Sequence, residues 1–408
     1  MSGDLLSRGQ GGTGSVVPAS LAELASATLE LRGDPDVKMP LGWWSTAWRM
    51  QLDPARGVFV DFRNVAPYPF PAYLPQLAVL LPARWFGLRP LLLLFLARLA
   101  SIVAGTALVA WAIRLLPERQ WFSACLALAP MSTALRASAS CDAVMIGCAW
   151  LLAAAAARLG RESDPQRAVR FGWIAVGAAG GLALTKLPYL PLALVPLWGL
   201  LRRPAAGGRP LRRIAAALLL VLLAAGGFAA WQAATHGAPL RPGVDRERQV
   251  HDALAEPLRF FAIVARDDLR YGPRYLVQAI GVQLGWLDTR LPWALVFLYA
   301  GVLAVLLLER GDAAERPAAG LRWATAAAVV LTTLLMSASQ YATWTPYRAA
   351  WLEGLQGRHF LPLAPFVALL VPRLNGNLDF RLRLAGLAAL LAVTYAVTAH
   401  AVWTRYYF

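Results

Sequence analysis

The sequence predicts an all-α polytopic membrane protein, a bundle of about ten transmembrane or re-entrant helices. The first observation behind this prediction is a series of hydrophobic runs of about 18 residues or more, too many for the core of a soluble protein. The second is the placement of arginine, which gathers in short segments between these runs, as in cytoplasmic loops. The formal net charge of +16 therefore reflects the loops, and we expect no nucleic-acid partner.

Residues 1–76 are predicted to form a soluble N-terminal segment with short helices, and residues 77–408 a membrane domain. The stretch from Ser20 to Leu31 has apolar residues at helical spacing and a serine that can cap a helix. The prolines of Y-P-F-P-A-Y-L-P-Q, from Tyr68 to Gln76, favour an extended approach to the membrane with no regular helix through Pro75. Residues 77–86 are too few to span and are interpreted as a re-entrant or interfacial helix.

Ten further segments are predicted to enter the membrane, and several of them are short for a full crossing. They comprise residues 90–116, 121–135, 142–157, 171–185, 188–201, 214–234, 292–308, 321–339, 360–371 and 384–403.

Arginine placement gives this array a predicted orientation. Every second connection is arginine-rich and is assigned to the cytoplasm by the positive-inside rule. These connections carry Arg114 and Arg119; Arg158, Arg161, Arg167 and Arg170; Arg202, Arg203, Arg209, Arg212 and Arg213; Arg310, Arg316 and Arg322; and Arg373, Arg381 and Arg383. The intervening connections, including an acidic loop at about 235–291, are assigned to the extracytoplasmic side.

The same orientation places residues 1–76 outside the cytoplasm. No apolar segment within them can carry them across a membrane. We therefore expect the natural chain to begin upstream of Met1 with a further membrane helix.

Lys186 is the most unusual residue of the apolar region, since it lies between two hydrophobic runs. A charged side chain at the centre of a transmembrane helix costs roughly 2.5–3.5 kcal/mol. Two interpretations remain open: the ammonium extends to the lipid headgroups, or it pairs with a phosphate or with Asp142. The second predicts that Lys186→Met leaves folding largely intact and abolishes binding of a phosphate-bearing ligand.

Two aspartates are candidate catalytic residues at predicted helix starts. Asp142 follows S-A-S-C, where it either stabilises the helix N-terminus, with Ser140 as the cap, or binds sugar hydroxyls or a cation. Asp288 lies in G-W-L-D-T-R-L-P and either caps the next helix or contributes a second carboxylate.

Several other charged or polar residues are candidates for a site near the predicted extracytoplasmic face. Arg98 is inside a span, where we expect an internal carboxylate or phosphate partner. Gln356, Arg358 and His359 lie at the mouth of a helix, where the arginine either binds phosphate or carboxylate in bidentate fashion or contacts headgroups.

Asp267 and Asp268, flanked by arginines, are interpreted as a solvated charged turn in preference to a divalent-cation site. Cys125, Cys141 and Cys148 have neither metal-ligand nor disulfide-framework spacing.

Six blocks of this sequence resemble a family of bacterial membrane proteins grouped as domain of unknown function 2142. The blocks are Y-P-F-P-A-Y-L-P-Q, the L-A-R-L around Arg98, A-P-M-S-T-A-L-R-A-S-A-S-C-D ending at Asp142, T-K-L-P-Y-L-P-L from Thr185, G-W-L-D-T-R-L-P, and Q-G-R-H-F-L-P from Gln356. The family is usually placed near the C-type (GT-C) glycosyltransferases, multispan enzymes that use polyprenyl-phosphate sugars. The resemblance therefore implies a GT-C-like fold in a bacterial cytoplasmic membrane.

The resemblance also implies a function. A sugar would pass from a polyprenyl-phosphate donor to a cell-envelope glycan or lipid acceptor at the extracytoplasmic face; the alternative is a non-enzymatic lipid-linked glycan transporter or polysaccharide-export partner. Asp142 and Asp288 would be the catalytic carboxylates. The implied substrate and phosphate contacts are Lys186, Arg358, Arg98, Gln356 and Tyr189. Membrane lipids, donor and acceptor are the implied partners; no cofactor is implied beyond the donor substrate, and metal dependence is left open.

Two departures from the family pattern bear on these implications. The family typically begins with a transmembrane helix and an outward loop with an acidic motif, roughly P-D-E-P-x-H, and neither is present here. Since GT-C enzymes generally place their catalytic carboxylate in that first loop, we expect the main base to be missing from this sequence. The second departure is Cys141, where proline or asparagine is more usual, and it concerns the helix cap.

Overall fold

A computed structural model describes residues 7–9, 12–201, 210–235, 243–308, 319–372 and 379–408. Within these residues the chain is predominantly helical, with no closed sheet, which confirms the predicted all-α polytopic fold. Of the predicted cytoplasmic arginines, six lie outside the described residues: Arg202, Arg203, Arg209, Arg310, Arg316 and Arg373.

The first part of the chain is a small unit of three β-strands and two α-helices. Its elements are β1 (Ser7–Gly9), β2 (Gly12–Pro18), α1 (Ala19–Leu29), α2 (Trp43–Arg49) and β3 (Gly57–Asp61). The helix expected within residues 20–31 is present as α1. The antiparallel sheet β1-β2-β3 was not predicted, because its strands are short and glycine-rich and lack a period-two apolar pattern.

The membrane part follows. Its elements are a 3₁₀ helix at Phe70–Tyr73, α3 (Leu74–Ala83), a 3₁₀ turn at Arg84–Phe86, α4 (Pro90–Leu115), α5 (Gln120–Ala127), α6 (Pro130–Arg136), α7 (Asp142–Leu159), α8 (Pro165–Thr185), a 3₁₀ helix at Leu187–Ala193, α9 (Leu194–Leu201), α10 (Pro210–Thr235), α11 (Arg246–Ala255), α12 (Pro257–Ile280), β4 (Gln283–Leu284), β5 (Thr289–Arg290), α13 (Trp293–Leu308), α14 (Ala319–Thr343), a 3₁₀ helix at Gly357–Leu363, α15 (Ala364–Leu370) and α16 (Phe380–Tyr407).

Six of the described helices have the length and apolar composition to cross a membrane, by contrast with the ten segments predicted. They are α4, α7, α8, residues 218–235 of α10, α14 and α16. Three shorter apolar segments, Leu187–Leu201, Trp293–Leu308 and Gly357–Leu370, correspond to three more of the predicted ten.

The predicted span at 121–135 is wrong as a continuous helix. It is divided into α5 and α6, because Pro130 has no N–H to continue the ladder and Ala129 before it is extended. Similarly, Pro75 does not exclude a helix: α3 begins at Leu74, and proline is tolerated in the first turn. The expected loop at about 235–291 contains α11 and α12.

Helix α7 is the centre of the bundle, with 83% of its residues buried. It runs parallel to α4, since Gly105 approaches Ala143 and the Arg158 Nε donates to the Leu115 carbonyl at 2.7 Å. The broken segment α5–α6 therefore returns the chain between them. A run of alanines from Ala153 to Ala157 is fully buried, and such small residues let membrane helices approach closely.

The N-terminal unit is fastened to the end of α16. The Met39 N–H donates to the Tyr406 carbonyl at 2.7 Å, and the Lys38 Nζ donates to the Thr404 carbonyl at 3.0 Å. These contacts join residues more than 360 positions apart and hold the N-terminal unit against the membrane domain.

Candidate functional site

Five pieces of the chain meet at the end of the bundle where α7 begins. They are the start of α7, the end of α8, the starts of the 3₁₀ helices Leu187–Ala193 and Gly357–Leu363, and the segment leading into Phe70–Tyr73. We call the side chains gathered there the site cluster. It consists of Tyr68, Asp142, Lys186, Tyr189, Arg358 and His359.

Lys186 and Asp142 form an ion pair in this cluster. The Lys186 Nζ donates to Asp142 Oδ1 at 2.6 Å, and the two side chains are only 16% and 13% exposed. The structure thus pairs Lys186 with one of the two partners left open by the sequence. It also gives no support to an ammonium that extends alone to the headgroups.

Local sequence explains why the two charges meet. Helix α8 ends at Thr185 and Lys186 is extended, with φ −145° and ψ 98°, because Pro188 cannot continue the α-helical hydrogen bonding. Asp142 lies in the first turn of the antiparallel neighbour α7, where the helix dipole favours an anion. Its N–H donates to the Ser140 Oγ at 3.3 Å. The carboxylate is therefore stabilised by its helix as well as by Lys186.

Tyr68 and Tyr73 border the pair, and sequence analysis did not assign either to the site. The Lys186 Nζ lies 5.4 Å from the centre of the Tyr68 ring, within the range of a cation–π contact. Burial raises the pKa of the Tyr73 phenol well above its usual range, so Tyr73 stays protonated at neutral pH. The available signal was the aromatic content of Y-P-F-P-A-Y-L-P-Q, which we interpreted only as an approach to the membrane.

Gln76, at the end of the same block, supports the segment before α7. Its Nε2 donates to the Ser101 Oγ at 2.6 Å and to the Ser140 carbonyl at 3.2 Å. Gln76 is 4% exposed, and its Oε1 has no hydrogen-bond partner among the described residues. The amide therefore links α3, α4 and the turn that presents Asp142.

The turn at Gln356–His359 is held by its own side chains. The Gln356 side chain accepts the His359 N–H, and His359 Nδ1 accepts the Gln356 N–H at 3.2 Å. An Nδ1 that accepts a hydrogen bond belongs to a neutral imidazole with its proton on Nε2. The Tyr189 hydroxyl donates to the His359 carbonyl at 2.9 Å. Gln356 and Tyr189, both expected to contact substrate, thus use polar atoms to shape the cluster.

Arg358 lies in this turn and is half-buried. It makes no hydrogen bond or ion pair with any residue that the structure describes, although it lies within electrostatic range of Asp142 and Tyr189. A guanidinium has five N–H donors. Arg358 therefore brings unused donors and a positive charge to the site cluster.

Arg98 and Asp288 lie in other settings. Arg98 is exposed on α4, and its Nε donates to the Ala137 carbonyl at 2.8 Å, so its described partner is a backbone carbonyl and the expected carboxylate is not found. Asp288 Oδ2 accepts from the Arg405 guanidinium at 2.7 Å, with both side chains under 10% exposed. No contact of the described residues joins Asp288 to Lys186. Asp288 thus contacts α16 through Arg405.

Asp267 and Asp268 are not in a solvated turn. Both lie on α12, where Asp267 is 2% exposed and accepts the backbone N–H of Leu352. This correction follows from the missed helix, which buries one face of the acidic pair against the chain after α14.

Comparison with known proteins yields one family. A family model described as a predicted membrane protein, DUF2142, matches residues 43–367, a range that includes every member of the site cluster. Neither the curated proteins nor the solved structures contain a match to the chain.

Proposed function

The chain belongs to the DUF2142 family of predicted membrane proteins, and from that premise we propose that it is a glycosyltransferase resembling the C-type enzymes. It takes a sugar from a polyprenyl-phosphate donor and transfers it to a cell-envelope glycan or lipid. The membrane is the cytoplasmic membrane of a bacterium, and the site cluster faces the extracytoplasmic side. The positive-inside pattern supports this orientation, since Arg158 and Arg161 lie at the opposite end of α7 from Asp142.

The observation that carries the proposal is the charge balance of the site cluster. Lys186 and Arg358 contribute two positive charges, Asp142 contributes one negative charge, and His359 is neutral by its hydrogen bonding. The cluster therefore has an excess positive charge inside a helical bundle, where an uncompensated charge is costly. An anion supplied by a ligand compensates that charge, and phosphate matches both an ammonium and a guanidinium.

The ion pair also suggests how binding prepares transfer. When the donor phosphate enters, Lys186 turns from Asp142 to the phosphate oxygens and releases the carboxylate. Asp142 then accepts the proton of the acceptor hydroxyl, the role that C-type enzymes generally give to a carboxylate of the first loop. The acceptor oxygen then forms a bond to the anomeric carbon while the bond from that carbon to the phosphate oxygen breaks. The electron pair leaves with polyprenyl phosphate, whose charge Lys186 and Arg358 stabilise.

The test uses the full chain reconstituted in phospholipid vesicles with a radiolabelled polyprenyl-phosphate sugar and a lipid acceptor fraction. We expect protein-dependent release of polyprenyl phosphate together with label in the acceptor, and loss of both with Arg358→Gln. Failure to bind the donor at all would overturn the proposal.

One observation favours a second candidate, a lipid-linked glycan transporter that binds the same donor without chemistry. Asp142 is committed to Lys186, and the described side chains of the cluster include no second carboxylate. The same vesicles separate the two functions. Donor that moves between leaflets and is recovered intact supports transport, and label in the acceptor supports transfer.

A further inference from the structure

Helix α12 has an exposed apolar face that the proposed function does not use. Four large side chains on it are exposed, Leu258 at 84%, Leu269 at 82%, Leu276 at 69% and Phe261 at 48%. The helix nevertheless carries six charged residues among its 24, and it is not among the helices suited to cross a membrane. Its exposed leucines therefore need an explanation other than a transmembrane position.

The exposed side chains form a single stripe. Residues 258, 261, 269 and 276 of α12 are spaced by combinations of three and four, which places them on one side of an α-helix. The opposite side packs into the protein through Val264, Asp267 and Tyr275.

A second stripe on α12 is basic. Arg266 lies three residues before Leu269, Arg270 one residue after it, and Arg274 two residues before Leu276. At about 100° per residue the three arginines are therefore rotated from Leu258 by roughly a quarter to a half turn. Arg270 and Arg274 are exposed. An apolar face flanked by arginines is the pattern of a helix lying in the membrane interface, with apolar side chains among acyl chains and cations at phosphate level.

Contacts near the C-terminal end of α12 fix its position in the bundle. A Cβ on Gly357 would lie 2.2 Å from the Tyr275 carbonyl oxygen and 2.5 Å from the Ala279 nitrogen. The Tyr275 and Phe360 rings stack with centroids 5.4 Å apart. Helix α12 is therefore packed directly on the turn that holds Arg358, at the site end of the bundle.

We propose that α12 is an interfacial helix that docks on the lipid surface at the site end of the protein. Its apolar stripe, Leu258, Phe261, Leu269 and Leu276, enters the acyl chains, and Arg270 and Arg274 contact the phosphates of anionic headgroups. Charge complementarity identifies the occupant. Anionic headgroups match the arginines beside the apolar stripe, whereas a protein partner that covered only the four apolar side chains would not require those arginines. This inference does not depend on glycosyl transfer.

The depth of the stripe can be measured with nitroxide spin labels. The full chain carries Leu269→Cys or Leu276→Cys, with Asp36→Cys as an exposed control in the N-terminal unit; the native cysteines are buried. In vesicles of phosphatidylcholine and phosphatidylglycerol we expect labels at 269 and 276 to collide with oxygen several-fold more often than with a water-soluble nickel chelate, and the control to show the reverse. Labels accessible to the chelate would overturn the proposal, and so would labels shielded from both reagents by a second protein chain.

Headgroup contact is tested by native mass spectrometry of the protein released from the same vesicles. Arg270→Gln/Arg274→Gln should retain several-fold less phosphatidylglycerol, with phosphatidylcholine unchanged. The matched variant Arg49→Gln/Arg56→Gln removes two exposed arginines of the N-terminal unit and should retain the lipid as the unaltered chain does. Equal retention by both double variants would overturn the arginine contacts.

Discussion

Lys186 and Asp142, 44 residues apart in the chain, form a 2.6 Å ion pair between the end of α8 and the start of α7. Both side chains are largely buried. Removing one partner of such a pair leaves an uncompensated charge, whereas replacing both with apolar residues is often neutral. The pair therefore changes the outcome that the sequence predicts for Lys186→Met, in which folding stays largely intact.

We expect Lys186→Met alone to lower the free energy of unfolding by about 3–5 kcal/mol, since Asp142 is left unpaired. The double variant Lys186→Met/Asp142→Leu should recover most of that loss. Thermal unfolding of the purified variants in detergent measures both. Additive effects of the two substitutions would show that the pair does not act as a unit.

Arg358→Gln should weaken binding of polyprenyl phosphate about tenfold to a hundredfold, the value of a hydrogen bond to a charged group. Stability should be unchanged or slightly raised, by less than about 0.5 kcal/mol, because the guanidinium has no described partner to lose and its removal takes away the excess positive charge of the site cluster. Arg358→Lys should be intermediate, since an ammonium keeps the charge without the fork. Binding is measured with the isolated lipid phosphate. Arg167→Gln, at the opposite end of α8, is the matched control, and an equal loss in it would argue against a specific site.

Gly357→Ala should destabilise the packing of α12 on the Arg358 turn. A Cβ there would meet backbone atoms at 2.2 and 2.5 Å, and overpacking of this kind costs about 1–3 kcal/mol. Gly386→Ala in α16 is the control, because a Cβ there meets nothing within 4 Å and should be neutral or slightly stabilising. Unfolding temperatures of the two variants decide the comparison, and equal temperatures would contradict the close approach.

Asp268 should make stability depend on pH. Burial raises the pKa of its carboxyl to about 6, with the like charge of Asp267 adding to the rise and the Ser337 hydrogen bond opposing it. A folded-state pKa above the unfolded value means that the native state binds the proton more tightly, so this contribution favours folding as the pH falls from about 7 toward 4. Asp268→Asn should remove that part of the pH dependence and stabilise the protein at pH 7.5. Melting curves recorded across this range test it; an unchanged pH profile would place the carboxyl in water.

Asp288→Asn should show whether the carboxylate of Asp288 has a structural or a functional role. The Arg405 guanidinium also donates to the carbonyls of Leu31 and Asp34 at 2.7 and 2.9 Å, so weakening its ion pair should loosen the N-terminal unit. We expect lower thermal stability and faster proteolysis of residues 19–61, with donor affinity retained. Loss of donor binding at full stability would return Asp288 to the catalytic candidates.

The lengths of the hydrophobic runs and the placement of charges predicted the fold class and several site residues of this protein from sequence alone. The apolar runs predicted the helical membrane fold, and proline and charge patterns marked Lys186, Asp142 and Arg358 as unusual. These are local properties, because a run of apolar residues or a proline acts on its own stretch of chain. For the same reason the sequence overstated the helix at 121–135, where Pro130 divides α5 from α6.

Only the tertiary structure decided which charges share a site. Lys186 and Asp142 face each other because α7 and α8 are antiparallel neighbours, and Arg358 joins them because α12 and Tyr189 hold its turn. Asp288, which has an equally suggestive sequence, pairs with Arg405 from the last helix. Ion pairs between distant residues depend on the packing of whole helices, which no local pattern encodes. The tertiary fold thus separates residues that resemble one another in sequence.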